Sequence, residues 1–172
     1  MEQVILVDNE DNEIGMKEKM ECHMNPVALH RAISVIILNS NDQMMITKRA
    51  AGKKTWPDFW SNACCSHPRS GEAPEAAAKR RMQEELGFTT GLDLLFKFVY
   101  EAKFNSEWGE HELDHVFLGY YDGEVNVDPK EIEDYKFVDI DELRSDMEKH
   151  PEKYTPWFKL MFKRVLYNIG KV

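Results

Sequence analysis

Apolar and polar residues alternate along this chain with two different periods. Residues 32–38 (Ala-Ile-Ser-Val-Ile-Ile-Leu) form a nearly continuous apolar run rich in β-branched side chains, which predicts a strand buried on both faces. Asn39-Ser-Asn-Asp42 is turn material, and residues 43–48 return as a partner strand. Residues 92–104 alternate cleanly. Leu94, Phe96, Phe98, Tyr100, Ala102 and Phe104 fall on one face, predicted to point inward, with Lys97, Glu101 and Lys103 on the other. Residues 4–7, 111–121 and 135–140 read as further strands, and 59–63 as a short extended segment. Residues 8–15 and 52–58 are polar, Gly-containing loops.

The helical period appears three times. Residues 74–86 place Ala78, Met82 and Leu86 on one stripe, with Pro74 and Glu75 suited to the first turn and Gly87 to the stop. Residues 141–149 form a shorter helix. Residues 157–168 form a C-terminal one with Leu160, Met161, Val165, Leu166 and Ile169 as its predicted apolar set. Residues 17–28 show neither period, and Pro26 interrupts any long helix there. Strands mixed with helices over 172 residues predict one domain, residues 1–172, of α/β (α+β) class: a mixed β-sheet sandwich flanked by helices.

Composition narrows the function. With 42% hydrophobic and 31% charged residues the chain can bury a core. The longest apolar run is far too short to span a bilayer, and the N-terminal residues, which include Glu2 and Asp8, lack the pattern of a secretory leader. A cytoplasmic protein without membrane attachment is expected. Three cysteines, two of them adjacent (Cys64 and Cys65), argue against a disulfide framework. A net charge of −9 argues against nucleic acid as a partner. Yet between Lys48 and Arg81 eight basic residues face three acidic ones, a +5 island that leaves −14 for the remainder. Such an island suits a small anionic ligand such as a phosphate ester; a solvated charged face is the alternative.

Several residues carry potential chemistry. On the first long helix Glu85 borders the core stripe, where Arg81, one turn earlier, or a metal could neutralise it. Arg80 and Glu84 pair on the other side. His23, His30 and His67 are potential imidazole ligands. Glu110, Glu112 and Asp114 alternate along a strand and so project from one face, where like charges repel unless a cation lies between them or one is protonated. Three histidines with Glu110 and Glu112 would make a five-ligand N/O site for a divalent metal. Cys65, one residue removed from His67, could be a nucleophile, a proton carrier or a small buried side chain.

Taken together these motifs resemble a known family. Glu72-x7-Arg80-x-Met82-x-Glu84-Glu85-x-Gly87-Phe88 resembles the Nudix box, with Ser66 in place of its opening glycine and Arg81 in place of the glutamate that usually follows the arginine. Arg49-Ala-x-x-Lys53-Lys54-x-Trp56-Pro57, Trp60-x-Asn62-x-x-Cys65-x-His67-Pro68, Glu110-x-Glu112 and Pro156-Trp157 resemble, in order and spacing, the type I isopentenyl-diphosphate Δ-isomerases of the Nudix superfamily. The resemblance implies reversible isomerisation of isopentenyl diphosphate to dimethylallyl diphosphate through a tertiary carbocation. It implies Cys65 and Glu112 as proton-transfer groups, Tyr100 orienting Glu112 or the metal site, and Trp157 covering the reacting carbons. His23, His30, His67, Glu110 and Glu112 would hold one divalent metal (Mn, Mg or Zn). Lys19, Arg49, Lys53 and Arg81 would clamp the diphosphate, with Glu85 binding a second metal, Mg²⁺. The implied partner is this small-molecule substrate, and the implied assembly a monomer or homodimer.

Overall fold

The computed structural model describes residues 2–171. Nine strands and four α-helices follow in the order β1 (Gln3–Val7), β2 (Glu13–Glu18), α1 (Lys19–Cys22), β3 (His30–Leu38), β4 (Met44–Arg49), β5 (Trp60–Asn62), β6 (Cys64–Ser66), α2 (Pro74–Leu86), β7 (Asp93–Lys103), β8 (Gly109–Tyr120), β9 (Ile132–Val138), α3 (Ile140–Lys149) and α4 (Pro156–Asn168). The strands form one mixed sheet, and the class is α+β as the sequence predicts.

Every residue of β3 is buried. One edge pairs in parallel with β8 over nine residues, from His30↔Glu112 to Leu38↔Tyr120. The other edge is shared in succession by β1 at His30, β6 at Ile33–Val35 and β4 at Leu38. Because strand side chains alternate, β3 serves two cores at once. Ile33, Val35 and Ile37 meet Ala78, Met82 and Leu86 of α2 on one face, the stripe predicted from the sequence. Ile36 and Leu38 meet Leu143 and Met147 of α3 and the buried face of α4 on the other. His30 and Ser34 belong to this second face by register, as do Glu110, Glu112 and Asp114 of β8. The polar residues are therefore one end of an otherwise apolar layer.

Several expectations change. Residues 8–15 are not all turn: β2 starts at Glu13 and pairs with β1 as a hairpin. Asp11, in the left-handed region at φ 69°, anchors the hairpin's tip by accepting from Arg31 Nε and Lys97 Nζ, both at 2.7 Å, and lying 2.9 Å from His115 Nε2. The hairpin feeds directly into α1, which carries Lys19. The cysteine pair lies in a strand, β6, which sequence reading left unassigned. The third predicted strand is shifted, at Ile132–Val138 rather than 135–140. In β7 a register shift between Leu94 and Phe96 throws Leu94 outward, 50% exposed, while Phe96 and Tyr100 stay buried. In α4 the buried set is Trp157, Phe158, Met161, Phe162, Val165 and Leu166, whereas Leu160 is 58% exposed. The stripe runs through the two phenylalanines, one turn apart, which the sequence reading omitted. Gly87 ends α2 with φ 75°, and a Cβ there would lie 2.9 Å from the Asn126 backbone oxygen, so glycine is required twice over.

The correction in α4 is testable by denaturant unfolding. Phe158→Ala, at a fully buried position, should cost about 3–5 kcal/mol. Leu160→Ala should stay within about 0.5 kcal/mol of the parent. Equal costs would contradict the packing described.

Candidate active site

Strand register assembles the site. His30 opens β3 opposite Glu112 of β8, and Tyr100 of β7 stands opposite Glu112 on the other side. Cys65 of β6 pairs with Ser34 of β3, and His67 follows β6 immediately. His23 caps α1. The segment carrying His67 is tied down by Arg80, which donates to both oxygens of Glu72 (2.7 and 2.8 Å) and to the carbonyl of His67 (3.3 Å). The predicted Arg80–Glu84 pair is also present, at 3.2 Å.

Metal-binding atoms of His23, His30, His67 and Glu112 lie within 4.8 Å of one another, all buried. The ring tautomers can be argued for two of them. His23 Nδ1 is 2.6 Å from the Lys19 carbonyl and His30 Nδ1 is 2.8 Å from that of Ala28. A carbonyl only accepts, so Nδ1 carries the proton, and in the neutral ring Nε2 presents its lone pair inward. His30 Nε2 is 3.2 Å from His67 Nε2, and Glu112 Oε1 is 2.9 Å from His67 Nε2 and 3.4 Å from His30 Nε2. Convergent lone pairs and a carboxylate oxygen define a cation site, so these residues fit a divalent metal. Glu110 stands beside the cluster: its Oε2 lies 2.7 Å from His23 Nε2 and is otherwise unpartnered, while its Oε1 accepts from Thr55 Oγ1 at 3.0 Å.

Without a bound cation, protons take part of its place. Burial opposes charge on His23, but the hydrogen bond and charge of Glu110, then the charge of Glu112, raise its pKa to about 9. Burial drives His67 down to about 3, so its ring is neutral. Burial also opposes ionisation of Glu112, yet the His30 and His67 rings hold its carboxyl well below the usual range. Its second oxygen, Oε2, accepts from Tyr100 Oη at 2.6 Å. Tyr100 is pushed well above its ordinary value by burial and then by Glu112, and remains a hydrogen-bond donor. Asp114 behaves differently from Glu112: burial, then Glu112 nearby, raise its pKa well above normal. Its Oδ2 is 2.7 Å from Ser34 Oγ. Cys65 is pushed up to about 12, by burial first and Asp114 second, and its thiol donates to Asn62 Oδ1 at 3.0 Å. Cys64 is a fully buried core residue beside Ala78 and Met82.

A cavity of about 250 Å³ opens onto this cluster. Lys19, Arg49, Lys53 and Arg81 line it together with Cys65, His67, Tyr100, Glu110, Glu112 and Trp157. Of the residues expected from the sequence, His30 lies behind the wall, and Glu85 lines a smaller adjoining recess with Lys53 and Cys65. The basic groups each have partners. Lys19 pairs with Glu2 at 3.1 Å. Arg49 donates to the carbonyls of Trp56 and Thr55 (3.0 and 2.9 Å), and its guanidinium carbon sits 5.3 Å from the Trp157 ring centre. Arg81 donates to Glu85 at 2.5 Å and lies 3.3 Å from Glu131, which also pairs with Lys53. Glu131 was missed from sequence because its partners lie 50 and 78 residues away. The surrounding polar residues Ser34, Ser61 and Asn62 carried no signal beyond the Asn62 position in its motif.

Known proteins place the chain in a family. The NUDIX domain family model matches residues 28–158, and the chain belongs to the Nudix family. A solved structure from Deinococcus radiodurans shares the fold with a TM-score of 0.78 at 19% identity, covering 95% of this chain and 98% of that one. A MutT NUDIX hydrolase from Burkholderia pseudomallei does so with a TM-score of 0.65 at 21% identity, over 80% and 98%. Within the family the chain is one of the isopentenyl-diphosphate Delta-isomerases. It is 47% identical to isopentenyl-diphosphate Delta-isomerase 2 of Aromatoleum aromaticum, over 96% of this chain and 87% of that protein. It is 36% identical to isopentenyl-diphosphate Delta-isomerase 1 of Mus musculus, over 96% and 83%. Among the described residues no helix is long and apolar enough to cross a membrane.

The metal reading makes a direct prediction. Calorimetric titration with Mn²⁺ or Zn²⁺ should show His30→Ala weakened by roughly 10²-fold or more, since a ligand should cost at least what its supporting partners cost. His111→Ala, on the opposite face of β8, should bind as the parent does. Equal affinity for all three proteins would place the cation elsewhere.

Proposed function

We propose that this chain interconverts isopentenyl diphosphate and dimethylallyl diphosphate by adding a proton at one carbon and removing one from another, with Cys65 and Glu112 as the two proton-transfer groups. The observation that carries this reading is the lining of one cavity by Cys65, Glu112 with Tyr100, Trp157 and four basic residues.

The reaction balances as follows. A proton added to the terminal =CH2 carbon leaves a tertiary cation at the neighbouring carbon; loss of a proton from the next carbon toward the diphosphate forms the new double bond. One group ends a turnover with one proton fewer and the other with one more, and exchange with solvent restores both. The half-buried Cys65 and the buried Glu112 are suited to this because water would otherwise capture the cation. The Trp157 ring stabilises positive charge through its π face without reacting as a lone pair would. Trp56, at 5.3 Å and 90°, buttresses that ring. Tyr100 holds the Glu112 carboxylate through Oε2 and leaves Oε1 on the histidine side.

Lys19, Arg49, Lys53 and Arg81 take the diphosphate, exchanging carboxylate and carbonyl partners for phosphate oxygens. Arg81 stands where a Nudix box ordinarily supplies a carboxylate, which turns that part of the helix from metal binding toward anion binding. His23, His30, His67 and Glu112, with Glu110 beside them, would hold a divalent metal that supplies the positive charge needed to fix Glu112 and tune its acidity. Three imidazoles favour Mn²⁺ or Zn²⁺ there, whereas Mg²⁺ suits the diphosphate and Glu85.

The test is incubation with isopentenyl diphosphate and Mg²⁺, following dimethylallyl diphosphate and free phosphate together. Isomer without phosphate is expected; phosphate without isomer would identify a hydrolase. Cys65→Ala and Glu112→Gln should each lower turnover by at least ~10²-fold, and Cys64→Ala should be mild. Equal losses at Cys64 and Cys65 would misassign the thiol.

A further inference from the structure

Resting on that reading of the site, we propose that Ser61 is a positioning residue that ties the ring of Trp157 to the thiol of Cys65 through one closed set of hydrogen bonds. Ser61, Asn62, Thr155 and Trp157 are all at least 97% buried, and none of them is a metal ligand or one of the basic residues.

Donor and acceptor roles follow from chemistry alone. The Asn62 amide nitrogen donates to the carbonyls of Val35 (3.2 Å) and Cys64 (2.9 Å), which fixes the amide orientation and turns Oδ1 toward Cys65. Oδ1 then accepts from the Cys65 thiol at 3.0 Å and from the Ser61 hydroxyl at 3.1 Å. With its single proton committed, Ser61 Oγ has two lone pairs left. One accepts from the indole Nε1–H of Trp157 at 3.0 Å, and an indole can only donate. The other accepts from Thr155 Oγ1, also at 3.0 Å. Every donor and acceptor of Ser61 and of the Asn62 amide is satisfied, and Ser61 Oγ also lies 3.9 Å from Cys65 Sγ. Buried networks complete in this way specify a single geometry.

The network crosses three parts of the chain. Ser61 and Asn62 end β5, Cys65 lies on β6, and Thr155 and Trp157 begin α4. A backbone hydrogen bond from Thr155 N to the Trp60 carbonyl at 2.9 Å joins the same two places. The indole is thus pinned at its N–H edge in a fixed relation to the thiol. A cation formed in the cavity has to meet the ring face and a proton-transfer group together, and a displacement of about 1 Å can cost ~10²-fold in rate. The diphosphate grip comes from other residues, so losing this hydroxyl should act on kcat and spare KM.

The experiment compares Ser61→Ala and Ser61→Thr with the parent in the metal-loaded protein. It reads kcat, KM, melting temperature, bound metal and the Trp157 indole ¹⁵N–¹H resonance, assigned from a Trp157→Phe spectrum. For Ser61→Ala the expected result is a kcat lower by ~10–100-fold, KM within about twofold, parental metal content, and an indole proton resonance moved upfield. Ser61→Thr, which keeps the hydroxyl, should restore both kcat and the resonance. Should Ser61→Ala fail to fold, Thr155→Val withdraws one partner of the same oxygen and should give the same changes to a smaller degree. A folded Ser61→Ala or Thr155→Val protein with parental kcat, a resonance that does not move, a rise in KM matching the fall in kcat, or failure of Ser61→Thr to restore activity would each overturn the proposal. If the parent itself does not isomerise, the functional reading fails and this role with it; the resonance would still move, which separates that case from an absent network.

Discussion

The parallel pairing of β3 with β8 is the constraint on which the molecule depends. Its register sets His30 beside Glu112 and brings Ser34 near Asp114, while the same alternation sends Ile33, Val35 and Ile37 into the α2 core. A shift of one residue would exchange these sets, burying the site's polar residues under α2 and turning isoleucines toward the cavity. Fold and chemistry are therefore specified by one pattern. The layer containing Ile36, Leu38, Val116 and Leu118 is apolar where α3 and α4 cover it and polar where it meets the cavity.

The polar end would be destabilising in isolation. It buries two glutamates, an aspartate and three histidines, groups that cost free energy to bury unless each meets a partner. Glu112 is held well below the usual carboxylate range by the imidazoles that meet it; Asp114, buried beside it, is pushed well above that range; His67 is neutral and His23 charged at neutral pH in the absence of metal. For His23 the sign is that of a raised pKa: the stability contributed by its protonation is fully present below about pH 6.5 and is lost as pH rises through about 9. A metal held there would take that proton's place with a charge that does not leave in the same range. Across the cavity the arrangement is reversed: cations lie against Glu2, Glu85 and Glu131, so on the proposed function an incoming diphosphate would exchange partners instead of meeting bare charge.

Much of this was legible from sequence because periodicity and spacing act locally. The alternation at Glu110, Glu112 and Asp114 placed three carboxylates on one face, and the stripe on α2 with its closing glycine was read correctly. What escaped has a long-range or compensating cause. The bulge at Leu94 interrupts an alternation that looks perfect on paper. Leu160 was assigned to the core because leucine is apolar, yet Phe158 and Phe162 occupy that stripe. Glu131 meets Lys53 and Arg81 only through the folded sheet. Ser61 is an ordinary serine until its hydroxyl is found between an indole and an amide. The isomerase resemblance implies roles that no single motif carries, and of the residues it names for the metal the structure gathers His23, His30, His67 and Glu112.

On the proposed function the double bond moves by proton addition and removal through groups of the protein that exchange with water. Isomerisation of isopentenyl diphosphate in D2O, followed by NMR, tests it most directly. Dimethylallyl diphosphate with deuterium in its newly formed methyl group and no accompanying phosphate is expected. Product free of deuterium at that methyl would mean that hydrogen migrates within the substrate, and would overturn proton transfer through Cys65 and Glu112.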